Sequence, residues 1–308
     1  MLSERSVAYN NKHSFVTGGS QGLGLALASE LVNRGSSVTI CARNESKLAA
    51  AVAQIEKHRS NDNQFIHYVS ADLTKYTQAL HAIERATELA LATQKMPPSL
   101  FFACAGCSTP GWFAEMSIEE FEWDMQANYF SALHTAKAAT QNVLQHTTPH
   151  AHITLVSSVL GFPLGVPGYS AYTPSKHAVR GLGDALRTEL LLHDITTHVY
   201  FPGTIYSPGY EKENQTKPAL TKKIEGAADG LTPEQCARAL LKGIDKGEYQ
   251  ITSDFVGSLI KNLSRGASPS NNLLIDTLLF FVAAIAFPFW RIYMDYLVKK
   301  ERKTKTAK

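Results

Sequence analysis

The sequence predicts an α/β protein with a doubly wound parallel sheet of about seven strands and helices on both faces. Over the first 250 residues, short apolar runs alternate with longer stretches of helical periodicity. This is the pattern of a parallel sheet whose two faces are covered. A glycine-rich turn joins the first apolar run to the first helical stretch, and the length of 308 residues suits one large domain.

The strand candidates are short apolar runs spread along the chain. In order they are Ser14–Thr17, Ser37–Cys41, Gln64–Ser70, Leu100–Ala103, His152–Ser157, Thr196–Phe201 and Tyr249–Thr252. Helical periodicity between them predicts the helices Leu23–Arg34, Glu45–Arg59, Thr77–Gln94, Ile118–Val143, Ala171–Leu192 and Thr232–Lys246. The polar, weakly periodic segment Thr204–Leu231 predicts a mobile loop or a substrate lid instead.

Composition and charge exclude several classes of protein. A hydrophobic fraction of 44% with 19% charged residues is ordinary for a globular protein, so neither disorder nor a polytopic membrane protein is indicated. The net charge is +3, but the stretch from Arg291 onward holds seven basic and two acidic residues, which leaves the preceding part slightly acidic. No basic stripe interleaved with aromatic residues occurs there, so nucleic acid is not an expected partner.

The cysteines give no metal-binding pattern, so we expect no metal site and four reduced, buried thiols. They are Cys41, Cys104, Cys107 and Cys236. Cys104 and Cys107 have the spacing of a redox pair, but the surroundings are not thioredoxin-like and do not favour this interpretation. The N-terminus also lacks the charged and then apolar pattern of a signal peptide.

The glycine-rich turn after the first predicted strand is a candidate nucleotide site. Glycines let the backbone turn sharply and approach a pyrophosphate, which the amides and the dipole of the following helix stabilise. The turn therefore predicts a Rossmann-like nucleotide-binding fold, with a purely structural turn as the alternative. The predicted cofactor contacts are Thr17, Gly18, Ser20, Gln21, Gly22 and Gly24.

The end of the second predicted strand favours NADPH over NADH. No acid stands there to bind the ribose 2′-hydroxyl of NAD, and Arg43 occupies the place. A guanidinium binds a 2′-phosphate through paired hydrogen bonds, and Ser20 can add a hydroxyl donor. The alternative for Arg43 is a solvated surface side chain.

Two further loops at strand ends are weaker candidates for cofactor contacts. Asp72, followed by Leu73, offers a carboxylate to the adenine amino group, although an acid after a strand is usually a helix cap. Ala105 and Gly106 follow the fourth predicted strand, where a glycine lets the backbone pass close to a cofactor.

The chemistry is predicted at Tyr172 and Lys176, which stand four residues apart and share one helix face. The lysine ammonium and a nicotinamide cation are expected to lower the pKa of Tyr172, so that it exchanges a proton near neutral pH. Ser158 is expected to orient a substrate carbonyl, and Asn128 to hold a water that links Lys176 to solvent. A Tyr-x-x-x-Lys pair also occurs by chance, so its weight comes from these other residues and their order.

These residues resemble the short-chain dehydrogenase/reductase family over roughly residues 10–255. Besides the glycine turn and the tetrad of Asn128, Ser158, Tyr172 and Lys176, the resemblance rests on Pro202-Gly203-Thr204. It implies that this Pro-Gly turn contacts the nicotinamide amide and that Tyr172 and Lys176 also contact the cofactor. The family's Asn-Asn-Ala-Gly is here Ala103-Cys104-Ala105-Gly106, which alters one polar contact.

Within this family the chain resembles the fungal group of 3-ketodihydrosphingosine reductases. The resemblance implies NADPH-dependent reduction of 3-ketosphinganine, a long-chain keto-lipid, to sphinganine at the endoplasmic reticulum membrane, with the catalytic domain facing the cytoplasm. A homo-oligomer is also expected. The alternatives are a steroid or retinoid dehydrogenase of the same family and a catalytically silent nucleotide-binding scaffold.

A change of composition predicts two units: residues 1–260 as the nucleotide-binding domain, and 261–308 as an apolar, membrane-associated segment with a basic tail. Leu273–Trp290 is shorter than the roughly 20 residues of a straight span, and Pro288 and Arg291 interrupt it. A membrane-embedded hairpin or an interfacial helix is therefore expected as readily as a span, with a buried dimer-contact helix as the alternative. The basic tail and reduced cysteines place tail and domain on the cytoplasmic side.

Overall fold

A computed structural model describes residues 7, 9–226 and 230–306 and has a seven-stranded parallel sheet in the order β3-β2-β1-β4-β5-β6-β7. The doubly wound fold is thereby confirmed. Each strand lies within two residues of its prediction, because buried parallel strands are continuous apolar runs. The strands are β1 His13–Thr17, β2 Ser37–Ala42, β3 Ile66–Ser70, β4 Leu100–Ala103, β5 Ala151–Val156, β6 Ile195–Phe201 and β7 Gln250–Thr252.

Helices cover both faces of this sheet. On one face α1, α2 and α9 share a core with the strands, and on the other α3, α5 and α6 do so. The helices are α1 Gly22–Asn33, α2 Glu45–Ile55, α3 Tyr76–Gln94, α4 Ile118–Asp124, α5 Ser131–His146, α6 Tyr172–Glu189, α7 Pro208–Thr216, α8 Ala219–Glu225, α9 Pro233–Asp245, α10 Phe255–Leu263 and α11 Leu273–Thr306.

The strand order places the candidate site. The chain starts at β1, winds outward to β3 and returns to β4 on the other side of β1. In open α/β sheets a crevice forms at such a reversal, outside the carboxyl ends of the strands. The glycine turn after β1 and the loop after β4 therefore meet at one edge of the sheet.

The predicted helix Ile118–Val143 is present but is not regular. Between α4 and α5 the segment Met125–Phe130 forms a π-helix, and Asn128 lies in it. Such local expansions inside helices occur frequently at functional sites. Apolar periodicity cannot indicate them, because the one-residue slip leaves the flanking buried faces almost unchanged.

The segment predicted as a mobile loop or lid, Thr204–Leu231, is helical in two places. It contains α7 and α8, while residues 227–229 lie outside the described part of the chain. Ser207 accepts a hydrogen bond from the amide of Tyr210, and Pro208 stands at the first helical position. These capping residues start α7 although the segment is polar.

The C-terminal region, where the sequence predicted a change of composition and an interrupted apolar run, contains two helices. Helix α10 begins after Asp254, which accepts a hydrogen bond from the Gly257 amide. The two-domain boundary placed at residue 260 falls inside α10 and stays a prediction. Helix α11 continues through Pro288 for 34 residues, so the hairpin alternative was wrong. Within the described residues, α11 is the helix long and apolar enough to cross a membrane.

Replacing Gly24 by alanine should destabilise the fold. A Cβ there would overlap the carbonyl oxygen of Gly18, which belongs to packed backbone and not to the end of a flexible side chain. We expect Gly24→Ala to lower the free energy of unfolding by about 1–3 kcal/mol, measured by urea denaturation. As a matched control, Gly181→Ala in α6 meets no neighbouring atom and should raise it by about 0.5–1 kcal/mol. Equal effects of the two substitutions would contradict the close approach at Gly24.

Candidate active site

The turn between β1 and α1 has the geometry of a phosphate cradle. Gly18 and Gly22 adopt φ angles of +65° and +56°, which L side chains rarely accept. The cap residue Gln21 makes no side-chain hydrogen bond to the helix, and the first turn of α1 contains no acid. The first amides of α1 and its positive dipole end therefore face the crevice without a competing side chain, which fits a pyrophosphate. Ser20 is half-buried and Gln21 exposed at the same turn.

Thr17 is buried and organises the site from within. Its hydroxyl oxygen accepts hydrogen bonds from the amides of Cys104 and Ala105, at 2.9 and 3.1 Å, and donates one to the carbonyl oxygen of Phe102. Thr17 therefore joins the glycine turn to the loop after β4. Its predicted role as a direct cofactor contact stays a prediction.

Arg43 and Asp72 stand at the carboxyl ends of neighbouring strands. The guanidinium of Arg43 is exposed and lies 5.3 Å from the ring centroid of Trp123 on α4. One carboxylate oxygen of Asp72 accepts hydrogen bonds from the amide and hydroxyl of Thr74, so this residue caps the turn that precedes α3. Leu73 is buried in the core. Arg43 thus remains available to an anionic ligand, while Asp72 has a structural role as well.

Tyr172, Lys176 and Ser158 come together at the edge formed by β5 and α6. The ammonium nitrogen of Lys176 lies 5.5 Å from the ring centroid of Tyr172 and donates a hydrogen bond of 3.1 Å to the carbonyl oxygen of Val156. The hydroxyls of Tyr172 and Ser158 share a hydrogen bond. The tyrosine, the ammonium and a second hydroxyl donor therefore face one place, as the sequence predicted.

Burial shifts the pKa values of both Tyr172 and Lys176. Desolvation raises the pKa of Tyr172 above its usual range; the carboxylate of Glu213 raises it further, and the hydrogen bond from Ser158 opposes both. The expected lowering of the pKa of Tyr172 involves a bound nicotinamide cation as well as Lys176, and it stays a prediction. Desolvation also lowers the pKa of Lys176 to about 8.

The side chain of Asn128 hydrogen-bonds to protein atoms on the loop after β4 and on its own helix, and the expected water link to Lys176 stays a prediction. Its amide nitrogen donates to the carbonyl oxygens of Cys107 and Asp124, both at 2.9 Å, and its oxygen accepts from the Cys107 amide at 3.1 Å. A Cβ on Gly106 would meet this oxygen and would lie 3.3 Å from the Lys176 ammonium. Asn128 thus positions the loop after β4 against Lys176.

Asp124 is a buried carboxylate that sequence reasoning missed. It accepts hydrogen bonds from the hydroxyl and amide of Thr109, and burial raises its pKa to about 6. It lies one helical turn before Asn128, and its charge acts on both Tyr172 and Lys176. The spacing of four residues from Asn128 was the available signal, but three other acids in the same helix, Glu119, Glu120 and Glu122, obscured it.

The lid carries a second set of residues that the sequence did not reveal. Lys217 is buried and forms ion pairs of 2.8 Å with both Glu213 and Glu225. The hydroxyl of Tyr169 lies 2.6 Å from an oxygen of each carboxylate, and its ring lies 6.0 Å from that of Tyr172. This network fastens α7 and α8 beside the candidate site.

The remaining predicted residues lie around the same edge. The carbonyl of Pro202 accepts from the Val159 amide, that of Thr204 accepts from the Leu231 amide, and Gly203 approaches Asp254. The Pro-Gly turn therefore holds the loop after β5 and the end of the lid.

The cysteines do not form a redox pair. All four are free, and burial raises the pKa of Cys104 to about 12 and that of Cys107 above its usual range. Such thiols are poor nucleophiles. Cys107 is exposed and Cys104 is half-buried, so the expectation of four buried thiols was wrong for these two residues. No cluster of metal-binding side chains occurs among the described residues.

Comparison with known proteins relates the chain to reductases. It is 40% identical to the 3-ketodihydrosphingosine reductase of Cryptococcus neoformans over 94% of this chain and 85% of that protein. It is also 40% identical to the PIGF/3-ketodihydrosphingosine reductase fusion protein of Schizosaccharomyces pombe, over 94% of this chain but only 57% of that longer protein.

The fold is shared with a solved short-chain dehydrogenase from Sphingobium yanoikuyae in complex with NADPH. The TM-score is 0.65 at 22% identity, and the match covers 78% of this chain and 87% of that one. The family model described as short chain dehydrogenase matches residues 12–218. The chain therefore belongs to the short-chain dehydrogenase family.

Proposed function

We propose that this protein reduces the ketone of 3-ketosphinganine to the hydroxyl of sphinganine with NADPH. The observation that carries the proposal is the convergence of Ser158, Tyr172 and Lys176 beside a glycine turn that fits a pyrophosphate. Relatives at 40% identity over most of the chain bear the name of this reductase. The exposed Arg43 at the end of β2 supports NADPH over NADH.

Residues of this chain polarise the substrate carbonyl group and donate a proton to its oxygen. The bound nicotinamide supplies the hydride that goes to the carbonyl carbon. The hydroxyls of Ser158 and Tyr172 donate hydrogen bonds to the carbonyl oxygen, where negative charge develops as the hydride arrives. Tyr172, which keeps its proton at neutral pH because of burial, then gives it to that oxygen.

Lys176 stabilises the phenolate that this transfer leaves. Its ammonium lies next to the Tyr172 ring and is oriented by the Val156 carbonyl. In a desolvated site this charge acts strongly, because little water screens it. The same desolvation lowers the pKa of Lys176, so the useful charged form is lost at mildly alkaline pH.

We also propose attachment to the endoplasmic reticulum membrane, with the catalytic domain facing the cytoplasm and the chain self-associating. The apolar α11 and the exposed basic residues at its end, Lys299 and Lys300, support the membrane contact. The four free thiols support a reducing compartment. A membrane-bound enzyme would receive a long-chain keto-lipid directly from the bilayer.

The substrate is tested by the Tyr172→Phe variant. With 3-ketosphinganine, detergent-solubilised protein should oxidise NADPH, and Tyr172→Phe should lose at least about 100-fold in kcat while its NADPH affinity changes little. Tyr68→Phe, whose hydroxyl contacts Glu45 on the exposed side of β3, serves as the matched control and should stay active. Steroids and retinal complete the panel. Faster turnover of a steroid or of retinal than of 3-ketosphinganine would favour a steroid or retinoid dehydrogenase. If no carbonyl compound is turned over, a catalytically silent nucleotide-binding scaffold would be favoured.

The cofactor preference is tested at Arg43. Removing a guanidinium that binds a 2′-phosphate costs charge-assisted hydrogen bonds, so Arg43→Ala should weaken NADPH binding by about 10- to 100-fold and NADH binding far less. Fluorescence titration measures both dissociation constants. Arg85→Ala on the exposed side of α3 is the control, since Arg85 pairs only with Glu88 among the ion pairs of the described chain. An unchanged ratio of the two affinities would refute the proposed role.

The pH dependence of kcat/KM should report Lys176. The pKa of this buried ammonium is about 8, and the charged form is the active one. We therefore expect kcat/KM to be constant below this pH and to fall about tenfold per pH unit above it. Stopped-flow or steady-state assays from neutral to alkaline pH measure the profile, with NADPH affinity followed in parallel. A profile that stays flat well above this pH would show that Lys176 does not act as a charge.

A further inference from the structure

Helix α11 lies against the folded domain from Asp276 to Leu297, which is the greater part of its length. The residues that face the domain recur every three or four positions and form one stripe: Asp276, Leu279, Ala283, Phe287, Trp290, Met294 and Leu297. From first to last the stripe is about 31 Å long, at 1.5 Å per residue. This equals the roughly 30 Å thickness of a bilayer's hydrocarbon core. A helix docked over that distance has no free stretch with which to cross a membrane.

The charged residues within the apolar part of α11 point to the domain. Asp276 pairs with Lys261 at 3.4 Å and with Arg265 at 3.9 Å, and it accepts hydrogen bonds from Ser270 and the amide of Asn271. Arg291 donates to the carbonyl oxygen of Leu164. Both charges are held by contacts with the domain, so Arg291, which interrupts the apolar run in the sequence, is accounted for by docking.

The outer face of α11 is apolar as far as Ile292, and the exposed Asp295 follows beside Tyr296 near the C-terminal end. Leu274 is 83% exposed and Ile285 is 68% exposed, whereas Ala283 on the stripe is fully buried. Large apolar side chains on the line opposite the stripe are Leu274, Phe281, Ile285, Ile292 and Tyr296. Monomeric soluble proteins rarely expose a continuous patch of this kind, and such patches mark contacts with proteins or membranes.

We infer that α11 lies flat in one leaflet of a lipid bilayer, with its buried stripe on the domain and its outer face among the acyl chains. A protruding convex helix fits fluid chains without a preformed groove, whereas a protein partner would need a groove about 33 Å long. Tyr293 and Tyr296 near the exposed Lys299 and Lys300 also match the aromatic and basic composition of the headgroup region. This inference rests on the membrane attachment in the proposed function and makes the protein monotopic.

The depth of five side chains in the bilayer decides between a flat helix and a span. Single cysteines replace Leu274, Phe281, Ile285, Ile292 or Tyr296 in full-length protein carrying Cys107→Ser, since Cys107 is the exposed native thiol. Each is labelled with NBD in phosphatidylcholine and phosphatidylserine vesicles and quenched by lipids with nitroxides at shallow or deep positions. A flat helix gives one shallow depth at all five sites and no lipid contact at Ala283→Cys. Graded depths, with Ile285 deepest, would overturn the inference.

A second measurement separates lipid from a protein partner. Ile285→Glu should lower vesicle binding at least tenfold without moving the unfolding midpoint, because the side chain is exposed. Leu192→Glu is the matched control, since Leu192 is 81% exposed elsewhere in the fold, and it should bind as the parent does. A dimer in lipid-free buffer that Ile285→Glu dissociates would assign the face to a second copy and overturn the inference. Retained NADPH-dependent turnover in detergent would show that the proposed reduction survives either outcome.

Discussion

The hydroxyl of Thr17 holds two parts of the candidate site together, and the remaining contacts depend on that junction. It accepts hydrogen bonds from the amides of Cys104 and Ala105, so the glycine turn and the loop after β4 keep a fixed separation. The same loop continues to Cys107, which Asn128 binds on both sides. Through these bonds the phosphate cradle is positioned relative to Lys176, which a hydride-transferring site requires.

Desolvation decides the charge states that the chemistry needs. Desolvation favours the neutral form of Tyr172, and it lowers the pKa of Lys176, which disfavours the charged ammonium. The two effects suit reduction, in which the phenol begins protonated and the ammonium acts once the proton has left. Asp124 offsets part of the cost to Lys176, because a nearby carboxylate favours the charged lysine. The buried Asp124 on α4 therefore helps to set the charge state of Lys176 in the candidate active site.

Sequence periodicity predicted the sheet and the pair on α6 well, because both depend on local spacing. Buried parallel strands and a tyrosine four residues before a lysine are visible in one dimension. The buried state of Asp124 depends on the loop that carries Thr109, which periodicity within its own helix does not reveal. Glu213 and Glu225 lie close to Lys217 in sequence, but Tyr169, which contacts both carboxylates, is far from them, so this network was not predictable either. The path of α11 through Pro288 was missed because the proline lies on the exposed side, where the lost hydrogen bond is tolerated.

The hydrogen bond from Lys176 to Val156 has a consequence for how the site withstands mutation. Its acceptor is a main-chain oxygen at the end of β5, and the register with β6 fixes where that oxygen lies. No side-chain replacement at Val156 can delete this acceptor. The position of the Lys176 ammonium is therefore fixed by the backbone of the sheet. Substitutions at position 156 leave the acceptor in place and should not reorient the ammonium.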